Sequence, residues 1–292
     1  MGKFRINDYT IENPKIKKNI TVATISDIHS DIEKLNKIYE LLKRIKVDLI
    51  CIPGDVIDRK KDKRNEELVE VLNKISNIAK TYICLGNHDR YNKKEDEFDF
   101  FEELEKKSKC IILKEEFNSI RYDDNTVINA ISLPSKYYSL GENKDMLMDI
   151  VNNNDKDIDD KSYNILLVHS TNKMIKHNEI INEGLLGKMN LILSGHNHGC
   201  LTPRFIQLKS KNHIGFVAPY YRLICKNGYG TYINKNTSLI INNGVTKISN
   251  TSIFTVFSNY LNKIYIPDID IIKLKKGRKN KLVLNNTKIY KD

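Results

Sequence analysis

The sequence predicts an α/β protein in which two β-sheets pack on one another within a single 292-residue domain. Two observations lead there. Through the first half, short apolar runs alternate with amphipathic stretches at the strand-helix-strand spacing of parallel βαβ crossovers. From position 200 onward the pattern changes to strands without long helices, which reads as a mostly antiparallel second sheet packed on the first. The length suffices to bury a large core, as one domain or two smaller ones, and one is favoured.

The elements follow in order. Residues 20 to 26 (ITVATIS) form a strand, and 31 to 45 place Leu35, Ile38, Leu42 and Ile45 on one helical face with Asp31 as N-cap. The unit then repeats: strand 47 to 52, helix 65 to 79 with Leu68, Val71, Leu72 and Ile75 on its stripe, strand 81 to 85. A helix near 96 to 108 and apolar segments 110 to 113, 117 to 122 and 126 to 132 continue the layer, with Asp124-Asn125 as a hairpin turn. Residues 141 to 161, charged and asparagine-rich, read as a surface helix and loop. Strands 163 to 168 and 190 to 194 repeat the earlier logic, followed by strands 229 to 233, 238 to 242, 269 to 274 and 281 to 285. The motif-bearing core thus spans 20 to 199, second-sheet strands and a substrate-side loop span 200 to 275, and 276 to 292 is a basic hairpin or tail.

The net charge of +11 permits nucleic acid or an anionic membrane surface as a partner. Lysine, asparagine and isoleucine are nevertheless abundant throughout, so the charge reads as compositional bias, and nucleic acid is not favoured. Five cysteines, an odd number, argue against a disulfide framework, and Cys51, Cys84 and Cys110 lie inside apolar runs. No run approaches the length of a bilayer span, and nothing amphipathic enough for an anchor is evident, although peripheral membrane contact stays open. The expectation is a cytoplasmic protein in a reducing compartment.

Five of the seven histidines sit in short motifs: Asp27-Ile-His29, Gly86-Asn87-His88-Asp89, Val168-His169-Ser170 and Gly195-His196-Asn197-His198-Gly199, with Gly54-Asp55 between the first two. Each follows a buried strand, and parallel sheets carry ligands at the carboxyl ends of their strands. Asp27 and His29 are two apart, so on extended backbone both point to one side. Asp55 follows a Pro53-Gly54 turn whose glycine lets the backbone pass close to an ion. Asn87 offers a neutral oxygen, and His169, His196 and His198 offer imidazole nitrogens. Mixed oxygen and nitrogen donors suit a pair of Mn²⁺, Fe or Zn²⁺ ions better than Ca²⁺. No cysteine is required, which counts against structural zinc. His177 and His213, outside the motifs, are assigned to an exposed helix side and a loop.

The order D-x-H, G-D, G-N-H-[DE], a lone H and G-H-x-H resembles the calcineurin-like metallophosphoesterase superfamily over residues 20 to 199. More loosely, Asn243-Gly244 and Ile266-Pro267-Asp268-Ile269-Asp270 look like the ending of its bacterial small-phosphohydrolase branch. The resemblance implies a four-layer α/β/β/α sandwich of two mixed β-sheets flanked by helices. It implies that Asp27, His29 and His198 hold one divalent metal and Asn87, His169 and His196 the other, with Asp55 bridging. It gives His88 the role of contacting phosphate and protonating the leaving oxygen, oriented by Asp58 or, alternatively, Asp89. Arg59 matches a phosphate-binding position of the protein-phosphatase branch, and a solvated loop arginine is as good a reading. The implied reaction is phosphoester hydrolysis by a metal-bridging hydroxide on a small phosphodiester, nucleotide or phosphorylated metabolite. The alternatives are a nuclease or a phosphoprotein phosphatase; a non-catalytic scaffold is disfavoured because no ligand is lost. Cys200 stands where many relatives have a second glycine, which bears on loop shape. The aromatic and basic segment 200 to 230 reads as core and rim ahead of a substrate wall.

Overall fold

The computed structural model describes residues 4–58, 64–91, 99–139, 142–175, 184–202, 215–218, 222–225, 228–246 and 268–290. The first half contains β1 (Phe4–Asn13), β2 (Ile20–Thr24), α1 (Ile32–Arg44), β3 (Leu49–Pro53), α2 (Asn65–Ser76), β4 (Lys80–Cys84), α3 (Asn87–Tyr91), α4 (Phe100–Lys107), β5 (Cys110–Leu113), β6 (Phe117–Arg121) and β7 (Thr126–Ile131). There follow α5 (Ser135–Ser139), α6 (Lys144–Asn154), β8 (Tyr163–Val168), α7 (Asn172–Ile175), α8 (Gly184–Gly187), β9 (Leu191–Ser194), β10 (Gly215–Ala218), β11 (Arg222–Cys225), β12 (Gly230–Ile233), β13 (Ser238–Ile241), β14 (Asp268–Lys276) and β15 (Lys281–Tyr290).

Two mixed sheets lie face to face. The first has the order β15-β1-β14-β2-β3-β4-β5 and the second β12-β13-β9-β8-β7-β6, with β10 and β11 forming a separate pair. Strands β2 to β5 run parallel, as do β13, β9, β8 and β7, so both sheets present a row of carboxyl ends. Continuous apolar runs such as LICIP and YNILLV arise because both faces of these strands are covered. In β3, Leu49 and Cys51 face the other sheet while Ile50 and Ile52 face α1 and α2; in β8, Ile165 and Leu167 face inward while Leu166 and Val168 meet α6 and α8. The result is the expected stack of helices, sheet, sheet and helices.

Local signals act where anticipated. Leu35, Ile38 and Leu42 of α1 are fully buried, and Asp31 accepts a hydrogen bond from the Lys34 amide at 3.1 Å, a cap that contributes about 1 kcal/mol. The β6–β7 hairpin is closed by Asp123, which accepts from the amides of Asn125 (2.9 Å) and Thr126 (2.7 Å).

Three expectations are corrected. The second sheet is mixed with a parallel centre, because β13 returns beside β9 in the same direction. Strands β14 and β15, expected in the second sheet and in a terminal hairpin or tail, belong to the first. There β14 inserts between β1 and β2, and β15 pairs with β1 rather than with β14. Strand β1 itself is absent from the sequence reading. Its inward positions include Arg5, Asn7 and Asn13, which break the apolar alternation. They are tolerated because partners wait on β14: Asn7 donates to Asp268 at 3.1 Å and to Asp270 at 2.8 Å, and Arg5 pairs with Asp268. Among the described residues no helix is long and apolar enough to cross a membrane. Cys51, Cys84 and Cys110 are free and buried, and Cys200 is buried. Arg59, His177, His213 and the side chains of Phe205, Phe216, Tyr220 and Tyr221 lie outside the described residues.

Candidate metal centre

The five motifs meet at one end of the sandwich because each follows a parallel strand: β2, β3 and β4 of the first sheet, β8 and β9 of the second. The turns that carry them are tight. Asp27, His29, Asp55, His196 and His198 all adopt positive φ, between 44° and 71°, an uncommon conformation for residues with a Cβ. Asp27 and His29 therefore converge through a left-handed turn and not through extended alternation, which corrects the sequence reading. At Gly54 (φ +87°) a Cβ would lie 2.6 Å from His169 Nδ1. At Gly195 it would lie 2.4 Å from Asp27 Oδ2, so neither turn admits a side chain.

Two of the three groups of donor atoms lie on either side of the Asp55 carboxylate oxygen, Asp27 with His29 and His198, and Asp55 with His169 and His196; within each, the atoms lie within 4.8 Å of one another. Asp55 Oδ2 stands between the groups, 3.1 Å from His169 Nε2 and 3.7 Å from His29 Nε2. Its other oxygen accepts the His88 amide at 2.9 Å, which fixes the carboxylate. Asn87 Oδ1 approaches His169 Nε2 at 3.1 Å, joining the second group.

Backbone carbonyls decide which imidazole nitrogen faces inward. His169 Nδ1 lies 2.8 Å from the Pro53 carbonyl and His198 Nδ1 3.1 Å from that of Thr246, so each donates there and keeps Nε2 as an acceptor. The inward nitrogens then crowd together: His29 Nε2 is 3.3 Å from His198 Nε2, and His196 Nδ1 is 3.1 Å from His169 Nε2. Converging lone pairs beside buried carboxylates are satisfied by cations placed among them, so the residues present fit a pair of divalent ions. Without metal, burial disfavours charge on His169, but the adjacent Asp55 carboxylate, with Asp27 and the Pro53 carbonyl, raises its pKa to about 9, so the proton on Nε2 must leave before that nitrogen can take a cation. Burial lowers that of His29 to about 4. Burial would raise the Asp55 pKa, yet His169, His88 and His29 hold it well below the usual carboxylate range.

His88 stands apart. Its ring meets that of His29 edge-on at 4.5 Å, but its side chain is 20% exposed, whereas that of His169 is fully enclosed. Asp58 Oδ1 lies 3.0 Å from His88 Nδ1, leaving Nε2 directed elsewhere. Asp89, the alternative partner, does not face His88. It accepts from the amides of Asp55 (2.8 Å), Val56 (2.9 Å), Ile57 (3.1 Å) and Gly86 (2.8 Å), fastening the turns that carry Asp55 and Asn87. Burial and the nearby Asp55 charge raise its pKa to about 6.

Ser26, Asn242 and Glu142 escaped the sequence reading. Ser26 Oγ donates to Asp27 at 2.6 Å and lies 2.9 Å from Asn242 Oδ1, and Asn242 donates to Asp270 at 2.7 Å, so β14 braces a site residue from behind. Glu142, in the stretch read as a surface loop, is buried with Oε1 3.4 Å from His196 Nε2. No motif marks it; only the fold brings it there. Cys200, φ 50°, continues a left-handed turn from Gly199 and packs against Tyr229, the loop shape the missing second glycine put in question.

The sequence model of the family described as calcineurin-like phosphoesterase matches residues 20–200. Curated relatives include the metallophosphoesterase YkoQ of Bacillus subtilis, 27% identical over 196 residues, which cover 63% of this chain and 62% of that protein. Another is a metallophosphoesterase of Aquifex aeolicus, 27% identical over 208 residues, covering 67% and 70%. The chain thus spans less than two thirds of the Bacillus relative. Among solved structures, a dimetal phosphatase from Danio rerio is similar over 77% of this chain and 88% of that one, at 10% identity and a TM-score of 0.44.

Proposed function

The chain belongs to the calcineurin-like phosphoesterase family, and on that premise we propose that it hydrolyses a phosphoester bond in a small substrate, using two divalent metal ions. The observation that carries the proposal is the position of Asp55 Oδ2, between the imidazoles of His29 and His169 and so between two three-residue donor groups. Asp27, His29 and His198 would hold one ion and Asn87, His169 and His196 the other, with Asp55 shared. Mn²⁺, Fe and Zn²⁺ match this mixture of carboxylate, amide and imidazole donors. Bound there, the ions supply Lewis acidity toward the phosphoryl oxygens and acidify the attacking water.

The chain's own residues do the rest. His88, more exposed than the ligand histidines, donates through Nε2 to a phosphoryl or leaving-group oxygen, and Asp58 holds its Nδ1 proton and fixes the ring. Asp89 keeps the Asp55 and Asn87 turns rigid, so the donors need little rearrangement when charge develops. Candidate substrates are a small phosphodiester, a nucleotide or a phosphorylated metabolite. Cytoplasmic location belongs to the same proposal, and Arg59 is retained as a candidate phosphate contact.

With Mn²⁺ added, hydrolysis of bis(p-nitrophenyl) phosphate and of p-nitrophenyl phosphate is the test. Turnover of at least one is expected, and the ratio separates diesterase from monoesterase. Protein that binds two ions and turns over neither ester would refute the proposal.

A further inference from the structure

We infer that Glu142 is a positioning residue that sets the His196 tautomer and locks together the two segments supplying the second ion's histidines. The inference rests on the metal-centre reading above and adds a residue that lies outside every motif. Glu142 stands between α5 and α6, immediately before the Asn143 cap of α6, with φ +68° and 2% of its surface exposed. A buried carboxylate on a left-handed backbone is costly to place, so its surroundings must hold it there. They do so from both sides of the site. Oε1 accepts from Ser170 Oγ at 2.6 Å and from Asn172 Nδ2 at 2.9 Å, both in the segment that follows His169. Asn172 in turn exchanges two hydrogen bonds with Asn197, at 3.1 and 2.8 Å, and Asn197 lies between His196 and His198.

The same oxygen is 3.4 Å from His196 Nε2, while His196 Nδ1 points inward, 3.1 Å from His169 Nε2. A neutral imidazole carries one N–H. A carboxylate beside Nε2 favours the proton there and leaves the Nδ1 lone pair for a cation. His169 and His198 obtain the same result from backbone carbonyls on the opposite nitrogen, so His196 is the one of the three oriented by a side chain. Tyr138, fully buried with its ring 5.6 Å from that of His196, helps enclose the pair.

Outer-shell partners of metal histidines are generally worth about 10- to 100-fold in affinity. Removing this one with Glu142→Ala should therefore weaken Mn²⁺ or Zn²⁺ binding at one of two sites by that factor, read by competition with a chromophoric chelator. The other site should keep its affinity. Glu142→Gln, which retains an acceptor of the same size, should recover most of the loss. Equal affinities at both sites in wild type and Glu142→Ala would overturn the inference. Should the alanine variant fail to fold, long-range ¹⁵N–¹H spectra of the wild-type Zn²⁺ protein decide. A proton on His196 Nε2 is expected, and one on Nδ1 overturns the inference. Neither readout depends on turnover. Protein that binds two ions without hydrolysing esters would refute the proposed function and leave Glu142 standing, whereas unaltered metal affinity in the variant would do the reverse.

Discussion

Replacing His88 with alanine is expected to slow phosphoester hydrolysis by about 10²- to 10⁴-fold, the range over which a positioned general acid acts, while two ions stay bound. The expectation comes from what His88 does and does not touch. Its Nδ1 is occupied by Asp58 and its ring lies against His29; the donor group it forms with those two is separate from the two groups to which the ions are assigned. Its loss should therefore leave the KM effect small and the fall concentrated in kcat, with metal content by elemental analysis unchanged. Asp58→Asn, which preserves the shape of the pair but not its charge, should give a smaller loss in the same direction. If His88→Ala instead empties the site, the division of labour between His88 and the four other motif histidines is wrong.

Asp55→Ala should fail differently. Oδ2 of Asp55 is the only carboxylate oxygen that an ion pair or hydrogen bond places against both His29 and His169 among the described residues, so both ions lose a charged donor at once. The variant is expected to retain fewer than two ions and to lose activity more severely than an outer-shell change, which is worth about 10- to 100-fold in affinity. A further mark should appear in the metal-free protein. The Asp55 charge is the main influence sustaining the raised His169 pKa of about 9, against burial that works to lower it. Its removal should let His169 lose its proton at lower pH, which histidine NMR titration would follow. Full metal content in Asp55→Ala would contradict the bridging role.

That the strand-end motif residues come together as the sequence suggested has a structural cause. Parallel strands deliver their carboxyl ends to one edge of a sheet, so a histidine or aspartate just past an apolar run is already placed. That logic located Asp27, His29, Asp55, Asn87, His88, His169, His196 and His198. It could not resolve how the turns are made, because alternation describes a strand and these residues lie beyond the strand end at positive φ. Nor could it see interactions between distant segments. Asp89 and Asp58 are both near His88 in sequence, and only the fold shows that four backbone amides claim the first while the second meets the imidazole. The terminal strands were misplaced for a related reason. The buried face of β1 is part polar and makes sense only beside Asp268 and Asp270, more than 250 residues away in sequence. Glu142 is the extreme case, a solitary glutamate in a charged stretch with nothing local to distinguish it from a surface residue.

The account stands on two ions acting together, and stepwise reloading of metal-free protein with Mn²⁺ tests it most directly. Bound metal and hydrolysis of the better p-nitrophenyl ester are measured at each addition. If Asp55 joins two sites that act as one, the rate should rise steeply only as the second ion binds and level off at two per chain. Full rate with one ion bound, or two ions bound with no hydrolysis, would contradict it.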